Sequence, residues 1–204
     1  NQMRAEIIKL RERIQTTFIY VTHDQTEAMT LGDRIVIMKD GFVQQVGTPT
    51  EVFDWPANLF VAGFIGAPMM NMFKTNLVRE GDKYYVTPYG AKIEVTGKKA
   101  QMLLERGIDS QEIVLGVRPE HLTMASANDP AAIPCTIRVN EMMGSELHLH
   151  VTEDNGDKLI VRIPTVMLED EERKAMVYGA TIHVTFEGKV MHFFDPETER
   201  NLLV

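Results

Sequence analysis

The side chain best placed to do chemistry is His23. It follows an apolar run, Phe18–Val21, whose β-branched and aromatic residues are typical of a short buried strand. Asp24 suits the N-cap of a helix, and Glu27 completes a variant of the capping box. The pattern therefore places His23 at the carboxyl end of a strand, where open α/β sheets bind ligands.

Two interpretations of His23 stay open from these residues alone. An imidazole at such a position can donate a charge-assisted hydrogen bond to charge that develops during phosphoryl transfer. The other interpretation is a histidine whose polar atoms are satisfied by the helix cap or by local backbone groups.

A metal site is the second chemical possibility. His148 and His150 share one face of a predicted strand, with Cys135, Glu146 and Glu153 as conceivable further ligands. Two outward-facing polar residues on a barrel strand explain the spacing more simply. That interpretation is favoured, so no metal site is expected.

Three segments carry a resemblance to a known family. Residues 16–66, TTFIYVTHDQTEAMTLGDRIVIMKDGFVQQVGTPTEVFDWPANLFVAGFIG, resemble the switch-histidine loop and the following part of ABC-transporter ATPases that drive sugar import. LGVRPEHL (Leu115–Leu122) and FFDPETERNLLV (Phe193–Val204) resemble the accessory regulatory (TOBE) domain of the same subunits. The chain is thus similar to the ATP-binding subunits of carbohydrate importers of the maltose and multiple-sugar type.

The resemblance implies roles for His23 and Asp24, and the alternation of Arg118 and Glu120 on an extended strand end suggests a third role. His23 would contact the γ-phosphate of ATP and keep the attacking water in line, with Mg-ATP as the cofactor of the intact protein. Asp24 would lie near the dimer seam. Arg118 and Glu120 could pair with charges on a neighbouring subunit, although a solvated turn after Pro119 is an equal alternative.

Other nucleotide-binding motifs are not found in the sequence. The glycines of Gly90–Lys98 are too far apart for a phosphate-binding loop, and Lys99 stands where Ser or Thr is required. A strand ending in paired acids and a Ser-Gly-Gly signature are also missing. The chain is therefore expected to be a carboxy-terminal fragment that neither binds ATP tightly nor hydrolyses it alone.

The partners are also implied by the resemblance. The intact subunit would form a homodimer on the cytoplasmic face of the membrane, bound to two transmembrane permease subunits. An extracellular sugar-binding protein would act with it indirectly. The alternative function is a stand-alone, non-catalytic interaction or regulatory module.

The predicted fold class is α+β in two parts. Residues 1–67 are expected to be the end of a P-loop α/β ATPase domain, with an amphipathic helix at 3–14, a hairpin around Asp40-Gly41 and a capping box at Thr48–Glu51. Residues 68–204 show many short strands, typical of a small barrel or sandwich. The resemblance implies an all-β OB-fold-type regulatory domain, two small barrels that share strands. Two late strands, 181–187 and 189–194, are expected to pair across Gly188.

Composition limits the remaining classes. The formal net charge of −8 argues against nucleic acid as a partner, even for an OB-type barrel. The single cysteine, Cys135, excludes an internal disulfide. No apolar stretch reaches the ~20 residues of a membrane-spanning helix, and no signal peptide is seen. The thirteen methionines suggest either an adaptable binding surface or gap-filling packing, and packing is favoured.

Overall fold

The computed structural model describes residues 2–14 and 16–204, which form two compact units. The first unit extends to Ala67 and includes Val204, and the second is Pro68–Leu203. None of the helices in residues 2–14 and 16–204 has both the length and the hydrophobicity of a membrane span.

The first unit contains four helices and one hairpin among its described residues. The hairpin turn has positive φ at Asp40 (52°) and Gly41 (82°), which the tight two-residue turn requires, and it confirms the predicted hairpin. The elements are α1 (Gln2–Ile14), α2 (Gln25–Leu31), β1 (Ile35–Lys39), β2 (Phe42–Gly47), α3 (Pro49–Asp54) and α4 (Leu59–Phe64).

Local sequence signals fix the start of α3. The Thr48 hydroxyl accepts a hydrogen bond from the Glu51 backbone N–H (3.2 Å), and the Glu51 carboxylate accepts one from the Thr48 backbone N–H (2.8 Å). Pro49 occupies the first helical position, where its missing N–H costs nothing. This reciprocal pair confirms the predicted capping box.

One face of the hairpin forms the core of the first unit. Ile35 and Ile37 alternate inward along β1 and pack with residues of α3 and α4. The side chains of Val36 and Met38, between and beyond them, stay more than half exposed. The buried cluster is Ile35, Ile37, Val52, Val61 and Ile65.

The predicted strand at Phe18–Val21 is wrong. The segment is irregular, and Ile19 and Val21 are each 90% exposed. A strand is stable only when neighbouring strands satisfy its backbone groups. None of the described residues pairs with this segment, so its β propensity is not realised.

The second unit consists of two five-stranded antiparallel sheets. The first sheet has the order β12-β6-β3-β4-β5, and the second β10-β9-β8-β11-β7. The strands are β3 (Asn71–Glu80), β4 (Lys83–Val86), β5 (Ile93–Glu94), β6 (Gln111–Val117), β7 (Leu122–Met124), β8 (Ile133–Met142), β9 (Glu146–Thr152), β10 (Lys158–Pro164), β11 (Thr181–Phe186) and β12 (His192–Phe194); the helices are α5 (Gly97–Glu105) and α6 (Asp170–Ala175).

The predicted pairing across Gly188 is wrong. β11 pairs with β7 and β8, whereas β12 crosses back to the first sheet and pairs with β6. Gly188 is needed for another reason: a Cβ there would lie 2.0 Å from the Glu94 carbonyl oxygen and 2.8 Å from the Thr96 nitrogen. Glycine allows this close backbone approach. The expected sharing of strands is also wrong, because each of β3–β12 belongs to one sheet.

Asn71 links the start of β3 to the edge of the second sheet. Its side-chain amide donates to the Ile160 carbonyl (2.8 Å), and its Oδ1 accepts from the Ile160 N–H (2.7 Å). The Asn71 side chain thus acts as a one-residue strand partner for β10. Asn71 is only 5% exposed, and both of its hydrogen bonds to Ile160 are partly buried.

Candidate functional site

His23 lies in the bend that leads from the irregular segment into α2, and it is exposed. The next residue, Asp24, is the N-cap of α2: its Oδ1 accepts from the Thr26 N–H (2.7 Å) and the Glu27 N–H (3.1 Å). The hydrogen bond from the Glu27 backbone, with that from Thr26, lowers the pKa of the Asp24 carboxyl. The predicted N-cap is confirmed.

The capping box expected at Glu27 does not form. The Asp24 backbone N–H donates instead to the Thr22 hydroxyl (3.0 Å). The Glu27 carboxylate accepts from the Thr22 hydroxyl (2.7 Å) and from the Tyr20 hydroxyl (3.1 Å), and this bond to Glu27 raises the Tyr20 pKa. The residues on both sides of His23 are therefore tied to α2, while the His23 imidazole stays open to solvent.

The two strand histidines pair with carboxylates rather than with each other. His148 Nε2 lies 3.4 Å from Glu146 Oε2, and His150 Nε2 lies 3.1 Å from Glu141 Oε2. Burial raises the pKa of the Cys135 thiol to about 12, which keeps it protonated and a poor metal ligand. In the described part of the chain, no group of three or more His, Cys, Asp or Glu side chains could hold a metal ion.

The proposed subunit contact at Arg118 needs correction. Arg118 is 1% exposed and lies between the buried strand β6 and the 3₁₀ turn Pro119–His121. A buried guanidinium cannot meet a charge on a neighbouring subunit without a rearrangement of this turn. The Glu120 carboxylate lies 3.6 Å from the Arg162 guanidinium of its own chain.

Arg162 organises a charged cluster that the sequence did not single out. Its Nε donates to Glu146 Oε2 (2.9 Å) and its Nη2 to Glu146 Oε1 (2.8 Å), a bidentate pair between β10 and β9. These bonds lower the Glu146 pKa, with a smaller contribution from His148. The only available signal was the alternation of polar residues along two adjacent strands, which does not reveal register.

Two known protein families match the sequence of the second unit. Residues 66–122 match the family described as MalK OB fold domain, and residues 115–194 match the TOBE domain. The predicted OB-fold-type, TOBE-containing domain is thereby confirmed.

Relatives match almost the whole chain. The oligosaccharides import ATP-binding protein MsmX of Bacillus subtilis is 43% identical over an alignment of 206 positions, which covers 97% of this chain and 52% of MsmX. The ABC transporter ATP-binding protein YurJ of the same species is 42% identical, with the same coverage. The multiple sugar-binding transport ATP-binding protein MsmK of Streptococcus mutans is 39% identical, covering 97% of this chain and 53% of MsmK.

The chain thus spans about half the length of the relatives that it matches. The shared segment includes His23, the hairpin of the first unit and both sheets of the second. The chain belongs to the family of ABC transporter ATP-binding proteins, and it contains the MalK-type OB fold and the TOBE domain.

Proposed function

We propose that this chain is part of the ATP-hydrolysing subunit of an importer for sugars. Residues 1–67 would belong to its nucleotide-binding domain, and residues 68–204 would form its regulatory domain. The observation that carries the proposal is the 43% identity to an oligosaccharide-import protein over 97% of the chain.

In this proposal His23 acts on the γ-phosphate of bound Mg-ATP. The nucleotide supplies the phosphoryl group that water attacks. The His23 imidazole donates a hydrogen bond to the phosphate oxygens as negative charge develops on them, and it helps to orient the water. Its exposed position before the capped end of α2 suits this role, because a phosphate can reach a ring that faces solvent.

The partners follow the same proposal. Two copies of the subunit would bind two transmembrane permease subunits at the cytoplasmic side of the membrane, and an extracellular sugar-binding protein would deliver the substrate. The regulatory domains would hold the copies together. Asp24 and Glu120, both outside the core, remain the proposed contact residues.

A chimera tests the transport role. The 204 residues replace the matching segment of MsmX, and uptake of a labelled oligosaccharide is measured in cells that lack their own MsmX. We expect uptake to be restored. A chimera that folds and binds the permease but supports no uptake would contradict the proposal and favour a non-catalytic interaction module.

A further inference from the structure

Exposed apolar side chains are concentrated at one end of the second sheet. All the exposed large apolar side chains of residues 68–203, except Met69 and Met124, belong to three short segments. These are the end of β8 with its turn, the 3₁₀ turn Thr165–Met167 after β10, and the two residues that follow Met176 after α6. We call the set the apolar patch: Val139, Met142, Met143, Val166, Met167, Val177 and Tyr178.

Hydrogen bonds hold the three segments together. The Thr165 N–H and hydroxyl both donate to the Ser145 carbonyl (2.9 and 3.0 Å), which joins the 3₁₀ turn to the β8–β9 turn. The Asn140 amide donates to the Met176 carbonyl (2.6 Å), which joins β8 to the end of α6. These bonds hold the three segments at the same end of the second sheet.

The patch is strongly exposed and rich in methionine. Val166 is 88% exposed, Tyr178 75% and Met167 73%, values unusual for such side chains in a folded domain. Methionine side chains adapt their shape and are favoured where a surface receives an amphipathic helix. The prediction that the methionines serve mainly as packing fails for Met142 and Met143, which are more than half exposed.

The border of the patch is acidic. Residues 169–172, at the start of α6, are all acidic and exposed, and Glu141 lies within β8 beside Met142. Arg173 pairs with Asp170, and Lys174 adds one further positive charge, so the net charge of this border is negative. A partner that buries the patch without leaving like charges opposed must carry basic residues around its apolar face.

We propose that the apolar patch binds an amphipathic helix with a basic polar face from a partner protein. A second copy of this chain fits less well, because a symmetric contact through the patch would bring two acidic borders together. The homodimer of the proposed function would then use another face. This binding requires no ATP, so it is tested independently of the ATPase proposal.

The first experiment uses a synthetic peptide as the probe. The peptide spans about five helical turns, with leucines along one face and lysines elsewhere. It is titrated into the 204-residue chain labelled with ¹³C at the methionine methyl groups. We expect saturable shifts of Met142, Met143 and Met167, whereas Met69 and Met124 stay unchanged. A peptide with glutamates in place of lysines should cause no such shifts.

Variants with matched controls locate the site. Val166→Lys with Met167→Lys should weaken peptide binding at least about tenfold, because it removes the centre of the apolar contact. Met69→Lys, at an exposed methionine outside the patch, should leave the affinity unchanged. Glu171→Lys should weaken binding and reduce its salt dependence. Circular dichroism checks that each variant is folded.

Several results would overturn the inference. Equal shifts at Met69 and Met124, equal binding of the acidic peptide, or no shift within the patch would each contradict it. Self-association in sedimentation that is abolished by the Val166→Lys, Met167→Lys variant would identify a second copy as the occupant instead.

Discussion

Replacing Asn71 by alanine should weaken the second unit strongly. The substitution removes both hydrogen bonds to Ile160, at 2.8 and 2.7 Å, from a site where Asn71 is 5% exposed. It leaves the Ile160 N–H and C=O without these partners on β10, the edge strand of the second sheet. Each such loss costs about 1–3 kcal/mol, so we expect the free energy of unfolding to fall by about 2–6 kcal/mol.

The assay is urea unfolding of the second unit within the full chain, followed by circular dichroism. Asn140→Ala is the matched control: it removes one amide-to-carbonyl hydrogen bond, to Met176, where Asn71→Ala removes two, and Asn140 itself is exposed. We expect the control to cost less than about 1 kcal/mol. If Asn71→Ala costs no more than Asn140→Ala, the side chain does not secure the edge of β10.

Two further predictions concern Gly188 and Glu146. Gly188→Ala should destabilise the chain by more than about 2 kcal/mol, because its Cβ would meet the Glu94 carbonyl oxygen at 2.0 Å; Gly156→Ala, where no atom lies within 4 Å and only the positive φ opposes alanine, should cost less in the same unfolding assay. The hydrogen bonds from Arg162 lower the Glu146 pKa in the folded chain. The Glu146–Arg162 pair therefore stabilises the fold fully above the unfolded carboxyl pKa of about 4.3, and this stabilisation is lost as the pH falls below that value and through the folded pKa. Thermal unfolding from about pH 6 to pH 3 should show a smaller loss of Tm for Glu146→Gln than for the unchanged chain; an equal loss would contradict the assigned pair.

Features determined by neighbouring residues could be predicted from the sequence. The turn at Asp40-Gly41, the capping box at Thr48–Glu51 and the N-cap at Asp24 each depend on residues within one turn of the chain. Their geometry needs no distant partner, so the expected structure formed in each case.

Features that depend on distant partners could not be predicted. The apolar run Phe18–Val21 has strand propensity, but a strand also needs neighbours that the described residues do not provide. Glycine is typical of turns, so the sequence suggested a hairpin turn at Gly188. Its close approach to Glu94 becomes visible only in the fold, where the chain passes from the second sheet to the first. The burial of Arg118 likewise depends on packing around the end of β6.

The candidate site divides in the same way. The position of His23 before a capped helix could be predicted, because Asp24 supplies the cap locally. The bidentate Glu146–Arg162 pair could not, because the register of β9 against β10 is set by the whole sheet. The apolar patch also escaped prediction, since its three segments are separated in sequence and come together only in the fold.

The most direct test of the central claim is ATP hydrolysis by the purified MsmX chimera with and without His23→Ala. We expect the substitution to lower the ATP turnover rate by about 100-fold or more while nucleotide binding is retained. The reason is that the imidazole is a hydrogen-bond donor that acts mainly in the transition state. His150→Ala, at a histidine on β9, should leave turnover unchanged. Near-normal turnover of the His23→Ala chimera would contradict the role assigned to His23.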